Sequence, residues 1–221
     1  MGTTVTLKAA DGFSLAAYTA GSADAKAGLV VVQEIFGVNH HMRDMADRFA
    51  AAGYYVCAPA LFDRAEPGVE LGYTQDDIAK GRDYRMKLND AQVMADVEAA
   101  AAYLGAKKLG IVGYCFGGTV AWWGATRTTK FAGASCWYGG GIAGTKDEHP
   151  HCPVQMHFGE KDASIPMSDV EAVRMAQPKA ESYVYTGAGH GFGCDERGSF
   201  SKPDYELAQQ RTLEFFAKNL G

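Results

Sequence analysis

The chain has little that would span a membrane, bind a polyanion or staple a small fold. It holds no run of roughly 18 or more apolar residues, so no helix is expected to cross a bilayer. It has no basic run either: 21 Lys and Arg face 26 Asp and Glu, a formal net charge of −5. Nucleic acid and anionic membrane are therefore not expected partners, and an anionic substrate needs a local cluster of Arg and Lys. The five cysteines (Cys57, Cys115, Cys136, Cys152, Cys194) are irregularly spaced, with no C-x-x-C pair. That spacing suggests neither a disulfide framework nor a zinc site. No ligand cluster or phosphate loop is visible in the sequence, so no metal and no organic cofactor is expected. The N-terminus lacks the basic and apolar regions of a signal peptide. Met1-Gly2-Thr3-Thr4-Val5-Thr6 fits a loose lipidation pattern, but a β-strand is the preferred reading. The expectation is a soluble, cytoplasmic protein.

What is present is an average globular composition, 47% hydrophobic and 21% charged, which excludes a disordered chain. A length of 221 residues favours one domain, 1–221, able to bury a core without staples. Val5–Lys8 and Phe13–Tyr18 flank Asp11-Gly12 and read as an antiparallel hairpin. Short apolar runs predict buried strands at Gly28–Glu34, Tyr54–Ala58, Lys108–Tyr114, Phe131–Trp137, Val154–Phe158 and Ser182–Tyr185. Helical spacing predicts helices over His41–Ala52, Gln75–Lys87, a stretch through Val93, Val97 and Leu104, then Thr119–Thr126, Ser168–Ala176 and Tyr205–Asn219. Leu61–Gly72 reads as a loop. Strands alternating with helices imply an α/β fold with a mainly parallel sheet, helices on both faces and the antiparallel hairpin at one edge.

In such a sheet the active site lies beyond the carboxyl ends of the strands. Gly113-Tyr114-Cys115-Phe116-Gly117-Gly118 stands between a buried strand and a helix. Its spacing is that of a nucleophile elbow, G-x-S-x-G, with Cys115 in place of serine. His190, between glycines in Gly189-His190-Gly191 after the last strand, is the candidate base. His40, His41, His149 and His151 read as surface residues, and His157 lies within a strand. Asp162, in Gly159-Glu160-Lys161-Asp162, is the candidate to orient the imidazole, with Glu160 as a competitor. The order Cys115, Asp162, His190 is that of the α/β-hydrolase fold. At the end of an early strand, Gln33-Glu34-Ile35-Phe36-Gly37 sits where that fold supplies an oxyanion donor. The N–H groups of Ile35 and Phe116 are the candidate pair. Glu34 ends an apolar run, where a carboxylate is costly unless paired.

Together with Val38-Asn39, these segments resemble the dienelactone hydrolase (carboxymethylenebutenolidase) family over nearly the whole chain. The resemblance implies a cysteine hydrolase that opens the lactone of dienelactone to maleylacetate in aromatic-compound degradation, as a monomer. It also implies a resting Glu34–Cys115 pair, broken when substrate binds so that the Glu34 carboxylate takes the thiol proton, and a covalent acyl-enzyme released by water activated at His190. Phe36, Tyr84, Trp137 and Tyr138 match pocket-lining segments. The family clamps its substrate's carboxylate with two arginines. The matching positions here are Lys80 and Cys194, with Arg82, Arg85 and Arg197 nearby. Lysine lacks the guanidinium fork, so the chemistry carries over more firmly than the substrate. A broader carboxylesterase or thioesterase acting on another small ester is the alternative. A non-catalytic small-molecule binding protein on the same fold is a third reading.

Overall fold

Among the described residues, 2–105 and 107–221 of a computed structural model, the apolar runs become eight strands joined in one sheet. Strands β1 (Thr3–Lys8) and β2 (Ser14–Ala20) form the expected antiparallel hairpin, and β2 pairs antiparallel with β4 (Tyr55–Pro59). The other strands are β3 (Ala27–Val32), β5 (Lys108–Tyr114), β6 (Gly133–Trp137), β7 (Val154–Gly159) and β8 (Glu181–Tyr185). From β4 to the β8 edge every pairing is parallel, in the order β1-β2-β4-β3-β5-β6-β7-β8. β3, β5, β6 and β7 are buried along almost their whole length, which explains their unbroken apolar runs.

The helices are α1 (His40–Ala51), α2 (Gln75–Met86), α3 (Asp90–Leu104), α4 (Phe116–Arg127), α5 (Met167–Ala176) and α6 (Lys202–Leu220). Asn39 caps α1, accepting from the Met42 N–H at 3.2 Å, and Thr74 with Asp77 forms a capping box on α2. α1 and α6 meet through Phe49 and Phe216 on one face of the sheet, and α3 and α4 cover the other. β3 sends the chain through α1 to β4 on one side, and β5 then pairs on its other side. The crevice at the carboxyl ends of β3 and β5 is thus a topological switch point.

Three sequence expectations need correction. α4 starts at Phe116 rather than Thr119, because Gly117 and Gly118 are helical glycines pressed against backbone. A Cβ on Gly117 would lie 2.3 Å from the Val32 carbonyl oxygen. The 61–72 loop begins with a 3-10 turn over Leu61–Arg64, held where the Gln33 side-chain carbonyl accepts the Leu61 N–H at 3.0 Å. His41 is not a surface residue: it lies on the inner face of α1, fully buried.

Candidate active site

The turn after β5 forces its third residue into a conformation that side chains rarely adopt. Cys115 has φ 55° and ψ −114°, and its N–H donates to the Trp137 carbonyl at 3.0 Å. Two positions before and after it only glycine fits: a Cβ on Gly113 would sit 1.9 Å from the Gly117 oxygen. This strain lifts the thiol above the sheet at the N-terminus of α4, where unpaired N–H groups face outward.

Two other loops bring the remaining groups to that thiol. His190 Nε2 lies 3.1 Å from Cys115 Sγ, and His190 Nδ1 lies 2.7 Å from Asp162 Oδ2. Because a carboxylate only accepts, Nδ1 carries a proton. Asp162 is buried, and its other oxygen accepts the Ser164 N–H at 2.8 Å. Glu160, the competing acid, instead accepts the Gly187 N–H and is solvent-facing. Ser199 donates to the His190 carbonyl at 2.7 Å, and the Tyr138 ring meets the imidazole edge-on at 5.3 Å. Burial works against an imidazolium here. The negative charge of Cys115 and the Asp162 hydrogen bond outweigh it and raise His190 to about 10.

Glu34 follows β3 and is buried, but its partner is not the thiol. Oε1 accepts from Arg197 Nη1 at 3.2 Å, while Cys115 faces His190. The expected resting Glu34–Cys115 pair is corrected accordingly, since a guanidinium with 15% side-chain exposure offers the carboxylate a charge-assisted partner. Ile35 and Phe116 flank Cys115 on the wall of one cavity of about 540 Å³. The Phe116 N–H is at the first position of α4, where no intrahelical acceptor exists. Gly81 lets α2 close over this corner, because a Cβ there would lie 2.1 Å from the Ile35 oxygen.

The cavity separates the expected substrate contacts into two groups. Phe36, Arg82 and Arg197 line it. Lys80, Tyr84 and Tyr138 do not. On α2 the lining residues are Gln75, Ile78, Arg82 and Arg85, a helical stripe on which Lys80 and Tyr84 fall out of phase. Lys80 is exposed, and the Tyr84 hydroxyl donates to Glu66 at 2.8 Å. Tyr138, fully buried with φ 38°, supports His190 and Phe192 from below. Arg85 reaches the wall but is committed to the Leu88 carbonyl and Asp90, and stacks over Phe116 at 4.6 Å. The sequence reading also missed Trp123 and Thr119, which complete the wall from α4. Their spacing of four on a helix that begins at the elbow is the signal that would have found them.

A mainly parallel sheet with an elbow after β5, an acid after β7 and a histidine after β8 defines an α/β-hydrolase. The model of the dienelactone hydrolase family matches residues 15–220, and the chain belongs to that family. It is 36% identical over 212 residues to a Synechocystis protein provisionally named a carboxymethylenebutenolidase, covering 87% of this chain and 86% of that one. A similarly named Azospirillum brasilense protein is 34% identical over 233 residues, covering 99% and 100%. The crystal structure of a provisionally named dienelactone hydrolase from Klebsiella pneumoniae superposes with a TM-score of 0.84 at 31% identity, covering 99% of each chain. Family membership makes the protein a hydrolase acting on ester bonds. None of the helices among the described residues is long and apolar enough to cross a membrane.

Proposed function

We propose that the protein opens small lactones or enol esters, dienelactone being the type, with Cys115 as nucleophile, His190 as base and Asp162 as its orienting acid. The unbroken line Asp162–His190–Cys115, at 2.7 and 3.1 Å on a cavity floor, carries this reading. With the thiol proton held by His190, Sγ adds to the lactone carbonyl carbon. The resulting oxyanion accepts from the Ile35 and Phe116 N–H groups. Collapse breaks the ring C–O bond and leaves a thioester whose other end is the freed enolate, which takes the proton from His190. Water, deprotonated by His190, then attacks the thioester and Cys115 leaves, so that one water is consumed per ring opened. Glu34 neutralises Arg197 and holds it at the cavity edge, and Arg82 offers a carboxylate an ion pair. Residues 1–221 act as one catalytic domain.

A second reading has one observation in its favour. With Lys80 outside the cavity and Arg197 paired to Glu34, Arg82 is the cavity cation with no carboxylate partner among the described residues. A single exposed guanidinium also suits an uncharged carboxylic ester or thioester. Absorbance-monitored turnover of cis- and trans-dienelactone by the wild type and Cys115→Ala tests both readings. Loss of lactone with the wild type alone is the expected result. Turnover by folded Cys115→Ala near the wild-type rate overturns the cysteine mechanism. A folded wild type inert to both isomers but active on aryl esters establishes the second reading.

A further inference from the structure

Behind the catalytic line, the β3–α1 segment and the distant loop before α6 deliver Glu34, His41 and Cys194 to one buried spot. Their carboxylate oxygen, imidazole nitrogen and sulfur all lie within 4.8 Å of one another. Each side chain is at most 1% exposed. Two of the three donor atoms, Glu34 Oε2 and His41 Nε2, have no hydrogen-bond partner although both are buried. Unsatisfied buried polar atoms are rare enough to demand a reason.

The outer contacts of the three residues determine what their inner atoms present. His41 Nδ1 lies 3.2 Å from Asp195 Oδ1, so the ring proton sits on Nδ1 and Nε2 is a bare lone pair. Arg197 occupies the outer oxygen of Glu34, leaving Oε2 as a pure acceptor. The Tyr73 oxygen already accepts from Asn39 Nδ2 at 3.1 Å, and its own proton goes to Cys194, whose thiolate form that bond favours. Three electron-pair donors therefore converge, each steered from outside by a second polar group. That is how protein metal ligands are held.

We propose that Glu34, His41 and Cys194 form a binding site for a thiophilic divalent cation of the zinc type, with water in the fourth position. The donor set, one sulfur, one imidazole and one carboxylate, suits zinc and cobalt and is foreign to magnesium or calcium. Ligand distances of about 2.0–2.3 Å place donors roughly 3.3–3.8 Å apart around a tetrahedral ion, so the three side chains close by about 1 Å on binding. Arg197, between this triad and the cavity, marks the entry path, and an ion competes with it for Glu34. None of this depends on the lactone reading.

Titration of the full chain carrying Cys115→Ala tests the site with the catalytic thiol removed. With Co²⁺, one equivalent and a thiolate-to-cobalt charge-transfer band are expected. Cys194→Ser abolishes the band. Asp195→Asn, a change at an exposed residue that leaves all three ligands in place, weakens Zn²⁺ binding about 10–100-fold by calorimetry. A band that survives in a folded Cys194→Ser protein overturns the proposal by placing the ion elsewhere. Absence of any band in the Cys115→Ala chain overturns it as well, and leaves a buried water as the partner of Oε2 and Nε2.

Discussion

Acid should destabilise this protein through one histidine that takes no part in the chemistry. His157 on β7 is fully buried against α6, with Nδ1 2.8 Å from the Tyr185 hydroxyl and Nε2 2.9 Å from Gln155 Oε1. Burial, with the nearby Arg211 charge adding to it, lowers its pKa from 6.5 to about 3. The unfolded chain therefore takes up a proton below about pH 6.5 that the folded chain refuses until about pH 3. Stability is lost as pH falls through that window. At 1.36 kcal/mol per pH unit the loss reaches about 2 kcal/mol at pH 5 and about 3 kcal/mol at pH 4. Carboxylates add their own acid sensitivity, so the test is a difference. Urea unfolding of wild type and His157→Gln, followed by tryptophan fluorescence at pH 7, 5 and 4, isolates this residue. The wild-type stability minus that of the variant should fall by about 3 kcal/mol between pH 7 and pH 4. A difference that stays constant over that range refutes the reasoning.

Asp162→Asn should cut kcat about a thousandfold or more with little change in KM, because an amide no longer fixes the proton on His190 Nδ1; a loss under tenfold in steady-state kinetics contradicts that role. Gly113→Ala drives a Cβ to 1.9 Å from the Gly117 oxygen, backbone that cannot step aside, and should cost more than about 3 kcal/mol. A melting temperature equal to wild type by circular dichroism would show that the elbow has slack. Arg82→Ala should raise KM for a carboxylate-bearing lactone about tenfold and leave KM for an uncharged aryl ester unchanged, since only the former loses an ion pair. Equal changes for both substrates would deny Arg82 that contact.

The strands and the nucleophile turn were legible because each is written locally. A buried parallel strand needs an apolar run such as Leu29–Val32, and a sharp strand-to-helix turn needs glycines at fixed offsets from Cys115. The histidine and the acid were legible because glycine-rich loops follow strands in a known order. Contacts set by helix phase were not. α2 has no apolar stripe to announce its inner face, so Lys80 and Tyr84 read as well as Ile78 and Arg85 until the structure turned them outward. His41 was misread for a different reason: it stands four and eight residues before Met45 and Phe49 on the apolar stripe of α1, and the stripe was not extended back to it. Cys194 stands more than 150 positions from Glu34 and His41, so no spacing links it to them. Their meeting depends on α1 lying beside the loop that precedes α6, joined where Arg48 reaches Asp195 at 2.6 Å.

The catalytic line closes between residues 75 positions apart, and its histidine hangs from β8, an edge strand held by β7 alone. A chain refolding from denaturant can collapse around β3, β5 and Trp137 while β8 is still undocked. Turnover is then the last native property to return, behind fluorescence and circular dichroism. For the same reason it is the first to disappear when the β8 edge frays, well before the core melts. Enzyme assays on this molecule thus measure the integrity of an edge strand, whereas spectroscopy measures that of the core.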